Sequence, residues 1–165
     1  MNLYIFMKLL HVLAAFWMVS GVVGRDLAFW WAGRATDVHA VHALLRASDF
    51  FERYAVIPVS AAVLLFGLLI TWMQKWPLFG VLQGSPTNWL LISFILFVGM
   101  SAFIPALGMV ARRKERTRAV EDALTQGTIT PALTAVLNDR VVNRFRTVEL
   151  IITIIIIILM VTKPF

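Results

Sequence analysis

The chain has 165 residues, is 60% apolar and carries a net charge of +6, and its mean hydropathy of +0.83 lies far above that of a soluble domain. One core of this size could not hide so much apolar surface from water, so an integral membrane protein is implied and a soluble globular fold excluded. The lack of cysteine removes disulfides, iron–sulfur clusters and thiolate metal sites.

Helix one is predicted from Leu3 to about Ala32. The apolar run after Lys8 reads as a first span and not as a signal peptide, because the positive residue sits too late for an n-region. Gly33, Arg34 and Ala35 make a tight turn, and Thr36 or Asp37 caps the next helix. Helix two runs from about Asp37 to Gln74, with a kink expected at Pro58. The stretch 75–87, rich in Pro and Gly, is the longest irregular connection. Helix three starts near Asn88, carries Pro105 and continues as a charged helix to about Gln126. Gly127 suits the position just past a helix end, Thr130 an N-cap and Pro131 the first helical position. Helix four then runs to about Thr162.

Tyr54–Gln74 and Pro77–Ala111 contain no charge. Each run exceeds the roughly 20 residues that cross about 30 Å of hydrocarbon. The expected fold is therefore all-α, one domain over 1–165. It is a four-helix transmembrane up-down bundle with spans near 3–24, 54–74, 89–111 and 148–162. Helices three and four extend as a cytoplasmic helical hairpin over about 112–147, in which Val120 and Leu124 would meet Leu133, Leu137 and Val141.

Charge gives the orientation. Arg25, Arg34, Arg46, Arg53 and eight further Lys or Arg between Arg112 and Arg146 lie on one side, and only Lys8, Lys75 and Lys163 on the other. By the positive-inside rule both termini lie outside a bacterial inner membrane. The same rule accounts for the basic balance without nucleic acid, for which no module is recognisable.

Few residues could carry chemistry. His11 lies about 12 Å below the outer end of helix one in an otherwise apolar span, where ionisable groups are costly and often functional. A neutral imidazole there could ligate haem iron or simply donate to a neighbouring backbone group. His39 and His42 share one face of helix two and, with Asp37 or Asp49, could bind a metal, though interfacial polar residues explain them as well. Arg25, Asp26, Asp49, Glu52, Arg53, Arg112 and Arg113 form a charged layer near the inner boundary. It reads as a structural ion-pair layer or as a gate for a small ion. Glu149 falls inside that boundary, where a carboxylate needs a partner, and Arg53 is the arginine expected to reach it.

The opening Lys8-Leu9-Leu10-His11-Val12-Leu13-Ala14-Ala15, with Trp17 and Gly21, resembles the first helix of the copper resistance protein D superfamily. Four-helix protoporphyrinogen oxidase of the HemJ type stands beside that superfamily. The opening and the tail Met160-Val161-Thr162-Lys163-Pro164 are more similar still to an uncharacterised bacterial family of predicted integral membrane proteins. The resemblance implies that His11 is an axial ligand of haem b, with Ala14, Ala15 and Gly21 giving the cofactor room. A helix-three lysine of the oxidase has no counterpart in Trp89-Leu90-Leu91-Ile92-Ser93, so no enzymatic activity is assigned. Met100, Met160, Lys8 or a water would complete the iron. The alternatives are a small-ion or solute transporter and an accessory or scaffold subunit. The expected partners are membrane lipid and a second copy or another membrane protein.

Overall fold

The computed structural model describes residues 2–86, 88–103 and 110–164. Among them the chain is helical, without strands. Two helices, Leu3–Ala32 and Val38–Met73, and the largely helical stretch Pro131–Thr162 are long and apolar enough to cross a membrane, and a shorter apolar helix covers Trp89–Ser101.

Helix α1 (Leu3–Ala32) begins where the Asn2 side chain accepts from the Tyr4 amide. Helix α2 covers Val38–Met73, and the Asp37 carboxylate caps it by accepting from Ala40 N–H at 2.8 Å, which relieves one of the four orphan amides of a helix start. Pro58 does not stop α2. The five residues Glu52–Val56 widen into a π-helical segment just before it. A proline ring collides with the carbonyl four residues back, and an extra residue in the turn relieves that collision.

Helix α3 (Trp89–Val98) likewise runs into a π-helical segment at Gly99–Phe103. Pro105 lies outside the described residues. Helix α4 (Val110–Gln126) ends at Gly127 with φ +67°. There Gly127 N–H donates to Leu124 O and Thr128 N–H to Ala123 O, the paired bonds of a Schellman stop. Thr130 Oγ1 accepts from Leu133 N–H at 3.2 Å and starts α5 (Pro131–Leu137).

Helix four is not continuous. It breaks at Asn138–Asp139, and α6 (Arg140–Thr162) begins anew with the Asp139 carboxylate accepting from the amides of Val141 and Val142. The cap competes with helix continuation because a short acidic side chain satisfies the amides from a non-helical backbone.

Antiparallel pairing of α1 and α2 follows from their facing residues, with His11 against Val63 and Gly21 against Ala55. Leu90 packs with Leu159, and Thr153 lies near Met100, so α3 and α6 also run antiparallel. Met18, Val63 and Phe97, with Ile156 packed on them, bring α1, α2, α3 and α6 together. At the tryptophan end Trp76 and Trp89 meet edge to face at 5.6 Å, and Lys163 Nζ lies 4.6 Å from the Trp76 ring.

The charged end carries a core of its own. Phe29 and Ala32 of α1, Val41 and Leu45 of α2, Val120 and Ala123 of α4, and Leu133 and Leu137 of α5 are all buried together. The α4–α5 pair therefore folds back onto the ends of α1 and α2. Val120, Leu133 and Leu137 belong to this core and Leu124 packs against it, whereas Val141 is exposed. The break at Asn138–Asp139 takes Val141 out of the expected register.

Candidate functional site

His11 is turned towards α2, and its Nδ1 lies 3.0 Å from the Val63 carbonyl oxygen. A carbonyl can only accept, so Nδ1 carries the proton and Nε2 of the neutral ring keeps its lone pair. The approach depends on Gly67. A Cβ at that position would stand 3.1 Å from His11 Cε1 and 3.5 Å from Nδ1. A glycine inside an apolar helix weakens it, so an unexplained mid-span glycine was the available sequence signal that another group comes close here.

The small residues of α1 do not leave the room expected of them. Ala14 and Ala15 pack against the Met18–Val63–Phe97 cluster. A Cβ on Gly21 would lie 2.6 Å from Ala55 Cβ. Gly21 thus serves the close contact of α1 with α2, as small residues do between membrane helices. Ser93 is buried and donates to Trp89 O at 2.7 Å, so its hydroxyl is already engaged. Lys8 is exposed, Met100 Sδ lies 3.9 Å from Thr153 Oγ1, and Met160 packs beside Trp89 and Leu159.

The second locus is the charged layer, and its centre is Arg25. This side chain is only 7% exposed. Its Nε donates to Asp26 at 2.9 Å, Nη1 to Glu52 at 2.8 Å, and Nη2 to Glu149 at 2.6 Å. Glu149 is thereby gripped by both terminal nitrogens, since Nη1 also reaches it at 3.2 Å. The partner of Glu149 is Arg25 and not the expected Arg53. The π-helical segment of α2 explains the exchange: Glu52 is aimed inwards at Arg25, and Arg53, the next residue, is exposed.

Further pairs extend the layer. Arg146 donates to Asp26 at 2.8 Å and stacks 3.9 Å from the Phe29 ring, Arg113 donates to Glu52 at 3.1 Å, Arg116 donates to Asp49 at 2.5 Å, and Arg112 pairs with Asp139. These links tie α1, α2, α4 and α6 together. A cavity of about 490 Å³ opens here, with Met18, Val22 and Phe145 on its apolar walls and Arg25, Glu52 and Arg146 among its charged ones.

The suggested metal pair does not assemble. His39 is exposed and His42 half-buried. Asp37 is occupied as a cap and Asp49 by Arg116. Among the described residues no group of three or more His, Cys, Asp or Glu could hold a metal ion.

Compared with known proteins, residues 5–164 match the model of a family described as "Predicted integral membrane protein (DUF2269)". No curated protein and no solved structure matches the chain. The match concerns that family alone and adds nothing to the likeness of helix one to the copper resistance protein D superfamily.

Proposed function

The chain belongs to this family of predicted integral membrane proteins, and we propose that it is a multi-pass protein of the bacterial inner membrane that holds haem b through His11. One observation supports the reading: the His11 Nδ1–H is directed at a backbone carbonyl. Metal-ligating histidines are oriented in this way, with the distal N–H fixed and Nε2 left free for the metal. His11 alone offers an axial nitrogen: the described residues assign no second protein ligand, and Ala14, Ala15 and Gly21 are already packed against their neighbours. When bound, haem would supply one-electron redox chemistry. The chain's own part is to fix the imidazole tautomer and to hold the ring against Gly67.

Protein expressed with a haem supply should show a Soret band, and His11→Ala should abolish it. Gly67→Ala, which crowds the ring without removing it, should shift or weaken the band. A colourless wild-type protein that also fails to take up added haemin ends this reading.

The orientation rests on the uneven distribution of Lys and Arg. A cysteine introduced at Gln83 should react with an impermeant thiol reagent in intact cells, and one at Gln126 should stay unlabelled until the cells are opened. The reverse pattern would invert the topology.

The cavity beside Arg25 favours a second reading, a small-ion or solute transporter. Charged side chains facing a cavity inside the membrane mark solute pathways. Flux into liposomes that depends on Arg25 or Glu149 would separate this reading from the first, because neither residue touches His11.

A further inference from the structure

Arg25, Arg112, Arg113, Arg116 and Arg146 are each held by a carboxylate. Arg46 and Arg53 are exposed and form no ion pair among the described residues. On the same stretch of α2 stand two exposed aromatics, Phe50 between the arginines at 58% and Tyr54 just past Arg53 at 59%, whose rings meet at 4.9 Å. The spacing 46, 50, 53, 54 puts the four on one helix face. The acidic residues of this stretch do not compete, because Asp49 pairs with Arg116 and Glu52 with Arg25 and Arg113.

We propose that the α2 face formed by Arg46, Phe50, Arg53 and Tyr54 binds the phosphate of an anionic phospholipid at the edge of the hydrocarbon. The depth is set by the chain itself. Tyr54 opens the uncharged run that ends at Gln74, so Arg53 sits at the hydrocarbon boundary. Arg46, seven residues earlier, lies about 10 Å further out along the helix, in the headgroup zone. Aromatic side chains settle at this level of a bilayer. A guanidinium offers a planar fork of N–H donors that matches phosphate oxygens. Asp49 on the same side of the helix is held by Arg116, so the two arginines keep those donors for a ligand, and the flanking rings cover the first methylenes of its chains. A lipid occupies this place better than a soluble protein would, because the apolar half of the face continues into the span through exposed Ile57.

The experiment uses the full chain in bilayer discs of mixed phosphatidylglycerol and phosphatidylcholine. Association of each spin-labelled lipid with the protein is compared. The wild type should prefer phosphatidylglycerol, and the preference should fall with added salt. Arg46→Gln and Arg53→Gln should each lower it about fivefold, the weight of one basic residue near an anionic surface. Arg53→Lys should keep part of it. Arg118→Gln, an exposed cation on α4, should leave it unchanged and controls for net charge.

Equal association of the two lipids with the wild type overturns the proposal. So does an equal loss in Arg118→Gln, which would mean diffuse positive charge. A third overturning result is a lipid-free detergent sample in which the Arg46→Gln/Arg53→Gln double variant turns a dimer into a monomer. The face would then join two copies of the chain.

Discussion

Replacing Arg25 by methionine should destabilise the folded protein by about 3–5 kcal/mol, the cost of breaking a buried ion pair from one side. Three carboxylates, on Asp26, Glu52 and Glu149, lose their common partner at once. Glu149 is affected most, because Arg25 is the only cation paired with it among the described residues, whereas Asp26 keeps Arg146 and Glu52 keeps Arg113. The measurement is thermal or denaturant unfolding in detergent, followed by helix signal. Removing both partners is the informative control. Arg25→Met combined with Glu149→Met leaves fewer stranded charges and should recover a large part of the loss, a coupling that separate effects cannot give. If the single variant unfolds like the wild type, or the double variant loses the sum of the two, Arg25 is not the hub of the layer.

Gly21→Ala should cost about 1–3 kcal/mol through overpacking. The added Cβ would stand 2.6 Å from Ala55 Cβ and 3.3 Å from the Ala55 carbonyl carbon. Neither is the end of a flexible side chain, so the two helices must part. Ala55 lies in the π-helical segment three residues past Glu52, and Gly21 lies one turn before Arg25. Parting them here stretches the Arg25–Glu52 bond as well. Ala55→Gly in the same chain removes the opposing methyl and should restore most of the stability. A Gly21→Ala protein as stable as the wild type would show that α1 and α2 are not in close contact at this point.

The sequence by itself determined much that depends on local chemistry, although the Asp139 cap that interrupts helix four went unread. Unbroken apolar runs announce membrane helices because a lipid interior leaves the backbone no other way to satisfy its hydrogen bonds. Gly127, Thr130 and Pro131 stop one helix and start the next as their side chains and dihedral preferences dictate. Helix one was legible almost to the residue, from Leu3 to Ala32, and so was the need of Glu149 for an arginine. Which arginine it takes was not legible. Counting rises along two helices gives depth, but it carries no azimuth, and a single π-helical segment before Pro58 turns Glu52 inwards and Arg53 out. The same limit hid the partner of His11. Gly67, one turn past Val63 on α2, leaves the space in which the His11 ring reaches the Val63 carbonyl. Nor could charge counting separate a projecting hairpin from one folded back onto α1 and α2. That choice rests on Phe29, Ala32, Val41 and Leu45 meeting Ala123 and Leu133, and apolar burial has no direction until the segments are brought together.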